Sequence, residues 1–127
     1  MDDKIIAMFC LCDDLLQAIH HQESLQSQMN DAEIMTTALV AALFFRGHHE
    51  CARAMLKQHG YIPHMLSKSR FSRRLHRVKE IFILLFDLLA QTWKTLNIDS
   101  IYIIDSVPIA VCDNIRIRRS KIYRDEK

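Results

Sequence analysis

The chain is short of the residues that build turns, with only two glycines and two prolines among its 127 residues. Folds made of many short strands need turn residues at frequent intervals, so this scarcity argues against an all-β fold and favours long helices. No glycine-rich phosphate loop is present either. Half of the residues are hydrophobic and a quarter are charged, a composition typical of a globular protein rather than a disordered one.

Paired cysteines and long apolar runs are missing as well. Cys10, Cys12, Cys51 and Cys112 lack the spacing of a zinc site or a disulfide framework, so we expect reduced thiols in a cytoplasm. The longest uncharged apolar stretch, residues 34–45, is shorter than the roughly 20 residues that a membrane span needs. No signal segment opens the chain. These absences predict a soluble cytoplasmic protein without a membrane partner.

Positive charge is not scarce but segregated. The net charge is +2, yet residues 67–79 hold six of the seventeen lysines and arginines and no acid. Residues 115–127 hold another six, against Asp125 and Glu126. Two basic blocks on an otherwise acidic chain are typical of a protein that binds a polyanion.

Apolar residues recur at three- and four-residue spacing up to Leu96, which predicts four or five amphipathic helices. Asn30 followed by Glu33 has the chemistry of a capping box for the second helix. This second helix is apolar almost all round, and we expect it to be the most buried. A third helix is predicted from about residue 48 to residue 58, with Gly60 ending it.

A fourth helix is predicted to begin at Ser67 or Ser69. From Val78 the apolar stripe continues to Leu96, either as one long helix or as a kinked pair. Five aromatic residues at helical spacing are predicted to lie in the core rather than to stack on bases: Phe44, Phe45, Phe82, Phe86 and Trp93.

The predicted fourth helix has two unlike faces. One stripe, at positions i, i+3, i+4 and i+7, is basic and consists of Arg70, Arg73, Arg74 and Arg77. The opposite stripe is apolar and consists of Phe71, Leu75, Val78 and Phe82. An arginine stripe is often only a solvated face, but here no nearby acid in the sequence relieves its repulsion, which favours a nucleic-acid partner. The preceding turn at 60–66 makes this region similar to a helix-turn-helix with a longer turn, so backbone contacts are predicted rather than major-groove insertion.

A group of potential metal ligands lies around the predicted third helix. His48, His49, Glu50 and Cys51 are adjacent in the sequence, and His59 and His64 follow. Adjacent residues on a helix point in different directions, so surface histidines beside a turn are favoured over a zinc site.

An apolar, β-branched run at residues 101–104 leads directly into Asp105. Such a run predicts a strand buried in the middle of a sheet, with Asp105 on the same face as Ile103 and Val107. A carboxylate there is costly unless it meets a cation or hydrogen-bond donors. A salt bridge at a wet strand end and a metal-binding aspartate both meet this requirement.

The segment I-I-D-S-V-P-I-A-V-C-D-N-I-R-I-R-R-S-K-I-Y, residues 103–123, resembles the first catalytic block of bacterial insertion-sequence transposases of the DDE type. It is most similar to the insertion-sequence family 982 type. In that family a hydrophobic-Asp-Ser-x-Pro word precedes Val-Cys-Asp-Asn and an arginine-rich stretch. Residues 67–77 are also similar to that family's amino-terminal region, so the resemblance spans most of the chain.

The resemblance implies an RNase H-like fold in which Asp105 is the first catalytic residue and binds Mg²⁺ or Mn²⁺. The family's second aspartate and its glutamate have no counterpart here, so we expect Asp105 to be one ligand of an incomplete site and this chain not to bind the ion tightly. The implied partner is the DNA of insertion-sequence ends, and self-association is left open. The residues expected to contact DNA are Lys68, Arg70, Arg73, Arg74, Arg77, Lys79, Arg116, Arg118 and Arg119.

The sequence thus predicts a mainly α chain in two parts. Residues 1–97 form a four- or five-helix bundle that binds DNA, and residues 98–127 supply the first one or two strands of an incomplete RNase H-like α/β fold. The predicted function is that of the amino-terminal part of a DDE-type transposase, inactive alone. Two alternatives stay open: a small stand-alone DNA-binding or regulatory protein, and a helical protein-interaction domain.

Overall fold

The structure, a computed structural model, describes residues 1–23, 27–99 and 101. The chain divides into two compact units, Met1–Leu96 and Asn97–Lys127. Five helices make up the first unit: α1 (Asp2–Ala18), α2 (Asp31–Phe45), α3 (His49–Gln58), α4 (Lys68–Arg77) and α5 (Lys79–Leu96). The described part of the chain is therefore mainly helical, and the predicted bundle has five helices rather than four.

Helix α2 begins with the predicted capping box. The side chain of Asn30 accepts a hydrogen bond from the Glu33 amide at 2.7 Å, and the Glu33 carboxylate accepts one from the Asn30 amide at 2.8 Å. Two amides that the first helical turn leaves without partners are thereby satisfied. At its other end, Arg46 and Gly47 both have positive φ angles, and Gly47 adopts this left-handed conformation without steric cost.

The core of the first unit is built on α2. Ile34, Met35, Val40 and Ala41 are fully buried, and α2 packs against α1, α3 and α4. Thr36 and Thr37 are buried as well, and each hydroxyl donates to a backbone carbonyl one turn earlier. Because these bonds stay within the helix, the polar atoms need no partner from outside. The prediction that this helix is the most buried one is confirmed.

A turn with Gly60 at its start joins α3 to α4. Gly60 has a φ angle of +77°, a conformation that glycine adopts without steric cost. The Ile62 amide donates to the Leu56 carbonyl at 3.2 Å, and Ile62 and Leu66 are buried. Arg53 donates from Nη2 to the Leu66 carbonyl, and its guanidinium lies 5.7 Å from the ring centre of Phe71. This residue therefore links α3 to both the turn and α4.

Helices α4 and α5 form a kinked pair, which decides between the two arrangements that the sequence left open. Val78 separates them, and its amide bonds to the Arg74 carbonyl while its own carbonyl accepts from Ile81 and Phe82. The Val78 side chain is 2% exposed. Burial of this side chain fixes the position of the break.

The predicted burial of all five aromatic residues is wrong for two of them. Phe86 is 55% exposed and Trp93 is 70% exposed, whereas Phe44, Phe45 and Phe82 are partly buried. The physical reason is that α5 packs mainly on α4, through one face that includes the buried residue Leu85. Periodicity shows that a helix has an apolar face but not how many of its faces are covered.

No strand occurs among residues 1–23, 27–99 and 101. Most of the predicted first strand, and the whole of the second, lie outside the described residues. None of the described helices combines the length and the hydropathy that a membrane crossing requires.

Cys12 lies in the interface between α1 and α2. Burial raises the pKa of this thiol to about 11, against an opposing hydrogen bond with Thr36. The fold favours the protonated thiol, so its contribution to stability is present below pH 9.0 and is lost as the pH rises towards 11. Cys10 and Cys51, by contrast, are exposed.

Two substitutions on α2 test the central position of this helix. Ile34→Ala should lower the free energy of unfolding by about 2–5 kcal/mol, because it removes methylene groups from a fully buried site. Leu43→Ala removes a similar side chain from a position that is 56% exposed, and should change stability by less than about 0.5 kcal/mol. Urea unfolding followed by circular dichroism measures both. Equal losses would contradict the packing described.

Candidate nucleic-acid interface

An open cleft of about 450 Å³ runs along α4. It is lined by the four arginines of the predicted stripe, by two polar residues from the segment before α2, and by one apolar residue of the turn: Arg70, Arg73, Arg74, Arg77, Ser27, Gln28 and Leu66. The structure thus brings the four arginines to one surface. It also supplies two uncharged polar side chains on the facing wall.

The apolar face of α4 fixes the direction in which these arginines point. Phe71 and Val78 are each only 2% exposed, and Leu75 is partly buried. Because positions i, i+3, i+4 and i+7 share one side of a helix, burial of the apolar side turns Arg70, Arg73 and Arg77 outward and leaves Arg74 at the boundary between the two sides. The two-faced helix predicted from the sequence is confirmed.

One of the four arginines has a partner far away in the sequence. Arg74 donates to Oδ1 of Asp31 from both Nη2, at 2.6 Å, and Nε, at 3.2 Å. It also donates from Nη1 to the Ser27 hydroxyl at 3.1 Å. The side chains of Arg74 and Asp31 are only 18% and 11% exposed. Arg74 therefore connects α4 to the start of α2 and to the segment before it.

Asp31 is the centre of a wider polar group. Its Oδ2 lies 2.8 Å from Nε2 of His21, and its backbone amide donates to Oε1 of Glu23 at 2.7 Å. Asp31 and Glu23 both lie at the amino-terminal end of α2, where negative charge interacts favourably with the helix dipole. The group is held in place by residues that follow α1 and by residue 74 of α4.

The other three arginines face the solvent. Arg70, Arg73 and Arg77 are exposed, and Arg73 makes a long 3.4 Å bond from Nε to the Ser69 carbonyl. Within the described residues, the ion pair of α4 involves Arg74 alone. Helix α4 contains no acid of its own. Three cations thus lie side by side, and an anion in the cleft would relieve their mutual repulsion.

Of the other predicted site residues, Lys68 and Lys79 are described and are not among those that line the cleft. Lys68 is exposed at the first residue of α4, and Lys79 begins α5 with its Nζ 3.7 Å from Glu80. Arg116, Arg118, Arg119 and Asp105 lie outside the described residues.

The histidines around the start of α3 lie on the surface. His48, His49, Glu50 and Cys51 are all exposed, which agrees with the favoured interpretation of surface histidines. The ring of His49 lies 5.9 Å from that of Phe71. These residues share no described contact with the cleft.

Sequence reasoning did not identify Asp31, Ser27 or Gln28. In the sequence, Asp31 has the position of the first residue of a helix, beside the capping box. Ser27 and Gln28 belong to a stretch without a periodic pattern of apolar residues. Their contacts join positions more than forty residues apart, such as 31 and 74. No local pattern carries that information.

Comparison with known proteins identifies no relative of this chain. A scan against protein-family models, a search of curated proteins and a search of solved structures all find no match to this chain. The observations that bear on function are therefore the sequence motif around Asp105 and the geometry of the cleft.

A double-mutant cycle can measure the coupling energy between Asp31 and Arg74. Asp31→Asn and Arg74→Gln should each destabilise the protein, and their coupling energy should be about 1–2 kcal/mol because both side chains are largely buried. The exposed pair Lys79–Glu80 is the control, with a coupling below about 0.5 kcal/mol. Equal couplings for the two pairs, from chemical unfolding, would show that Arg74 does not anchor α4.

Proposed function

We propose that the helical unit binds DNA through the arginine cleft of α4, as the amino-terminal part of an insertion-sequence transposase. The observation that carries the DNA-binding proposal is the exposure of Arg70, Arg73 and Arg77 along one wall of the cleft. A fourth arginine, Arg74, is held in the same wall by Asp31. Clustered guanidinium groups suit phosphate because each presents several donors in a planar fork.

The size of the basic surface suits a nucleic-acid backbone. Arg70 and Arg77 are seven residues apart, which is about 10 Å along a helix axis. Duplex DNA carries one negative charge per roughly 1.7 Å of its axis, so several phosphates fall within that length. Ser27 and Gln28 on the facing wall add uncharged donors, which also bind phosphate oxygens.

The proposed mode of binding is contact with the sugar-phosphate backbone. Among the described residues, none of those that line the cleft is aromatic, so they offer no platform for base stacking. The turn between α3 and α4 is longer than that of a helix-turn-helix, which argues against a standard recognition helix in the major groove. Backbone contacts position a protein on DNA without reading its sequence.

The transposase part of the proposal depends on the motif around Asp105. The similarity of residues 103–123 to a first catalytic block supports Asp105 as a ligand of Mg²⁺ or Mn²⁺. Bound divalent ions would supply Lewis-acid chemistry for phosphoryl transfer to DNA. Arg116, Arg118 and Arg119 follow this block in the sequence and would supply further contacts to DNA.

Protein interaction is a second candidate, and the exposed apolar face of α5 favours it. Ile83 is 57% exposed, in addition to Phe86 and Trp93, and a face of this kind is typical of helix-helix contacts. The partner in this case would be a second copy of this chain, since the sequence leaves self-association open. The two candidates differ in their response to salt, because association of apolar faces releases no counterions.

Neutralising the exposed arginines should remove most of the DNA binding. The triple variant Arg70→Gln, Arg73→Gln and Arg77→Gln should weaken binding at low salt by at least about tenfold. The slope of log affinity against log salt should fall by roughly 2–3, as expected for three lost phosphate contacts. Fluorescence anisotropy with a labelled duplex measures both quantities.

A matched control separates the cleft from net charge. The variant Lys4→Gln, Arg46→Gln and Lys94→Gln removes the same charge from exposed positions on α1, after α2 and on α5. It should keep most of the affinity and the salt slope. Equal losses in the two variants would refute the cleft as the binding surface, and salt-independent or absent binding would favour protein interaction.

The 127-residue chain alone should not cleave DNA. Two-ion phosphoryl transfer needs several carboxylates, and the resemblance assigns only Asp105. Incubation with a duplex carrying insertion-sequence ends and Mg²⁺ or Mn²⁺ should give no strand breaks above those of the Asp105→Ala variant. Cleavage that disappears in Asp105→Ala would show that this chain holds a complete site.

A further inference from the structure

Three potential metal ligands meet beside the start of α2, away from Asp105 in the sequence. His21, Glu23 and Asp31 each offer one ligand atom, and these atoms all lie within 4.8 Å of one another. The residues come from the segment after α1 and from the first residue of α2. Asp31 is buried, and His21 and Glu23 are half-buried. We propose that this cluster is a binding site for Zn²⁺ or a similar transition-metal ion.

The outer partners of the cluster resemble those of known metal ligands in proteins. Ligating carboxylates are commonly held by hydrogen bonds to a second oxygen. Asp31 uses Oδ1 for Arg74 while its Oδ2 faces His21, and Glu23 uses Oε1 for the amide of Asp31. Each carboxylate has about four lone-pair sites, so these bonds orient the groups and leave capacity for a cation.

The contact between His21 and Asp31 is where the ion would enter. Nε2 and Oδ2 are 2.8 Å apart, a distance that a shared proton spans. Two ligands of one tetrahedral zinc ion lie about 3.3 Å apart, from bond lengths near 2.0–2.1 Å. An opening of roughly half an ångström would let the ion take the place of the proton on Nε2, while the neutral imidazole carries its hydrogen on Nδ1 instead.

The chemistry of the donors selects the kind of ion. One imidazole nitrogen with two carboxylates suits Zn²⁺, whereas Mg²⁺ prefers oxygen ligands and keeps several waters. Three protein ligands leave a fourth position of a tetrahedral ion for water. The charge balance also fits, because two carboxylates and Arg74 sum to one negative charge when His21 is neutral.

Metal titration of the metal-free chain tests the site directly. Zn²⁺ should bind with one equivalent in isothermal titration calorimetry and raise the melting temperature by about 5 °C or more. Mg²⁺ at the same concentration should give no such rise. Absence of zinc binding, or an equal response to Mg²⁺, would overturn the proposal.

Two variants assign the binding to the cluster. Glu23→Gln keeps an oxygen that can accept the Asp31 amide bond but removes the charge, and His21→Gln removes the imidazole. Each should weaken zinc binding at least tenfold while the metal-free melting temperature stays close to that of the wild type. His64→Gln, at an exposed turn, is the control and should bind as the wild type does. Unchanged binding in both cluster variants would refute the site.

Cobalt substitution tests whether the thiols, rather than the cluster, are the source of binding. Co²⁺ at the cluster should give the spectrum of nitrogen and oxygen ligands, without the thiolate-to-cobalt charge-transfer band. A thiolate band would place the ion on Cys10, Cys51 or Cys112 and overturn the assignment. None of these outcomes depends on whether the chain binds DNA, so the two proposals fail separately.

Discussion

The ion pair between Asp31 and Arg74 determines how the basic helix sits on the rest of the first unit. Asp31 is the first residue of α2, and Arg74 lies in the middle of α4. The pair is mostly buried, and its two short contacts converge on one carboxylate oxygen. A buried pair adds little net stability, since desolvation offsets attraction. We expect its effect to be on orientation, because any other rotation of α4 would leave an unpaired charge in a low-dielectric site.

Stability comes instead from the apolar surface of α2. Four of its side chains are fully buried, and three other helices pack around it. Each buried aliphatic side chain contributes roughly 1.5–3 kcal/mol relative to an exposed one, which exceeds the small net contribution of the buried ion pair. The two effects are therefore complementary. Burial holds the helices together, and the polar group at the start of α2 selects one arrangement of them.

The sequence predicts the local features of this fold better than the long-range ones. The capping box at Asn30, the left-handed Gly60 and the two-faced α4 all follow from patterns a few residues long. The exposure of Trp93 and the pairing of Arg74 do not, because they depend on which helices meet. The sequence predicted the four arginines of the candidate site but not Asp31. A residue type and its spacing show that a charge is present, but not which distant residue compensates it.

The compensation of one arginine explains how α4 can be both well packed and strongly basic. Four uncompensated guanidinium groups on three turns would repel one another, and α4 has no acid to reduce that repulsion. Asp31 neutralises Arg74, the arginine that lies closest to the packed face of α4, and leaves the three exposed arginines for a ligand.

Asp31 also belongs to the proposed metal cluster, whose net charge would change from −1 to +1 when a divalent ion binds. Since Arg74 would then keep its contact with a carboxylate that also holds the ion, the wall behind the cleft would become more positive. By Coulomb's law, a metal ion there would favour an anion in the cleft, so Asp31 would couple the two proposed sites through charge.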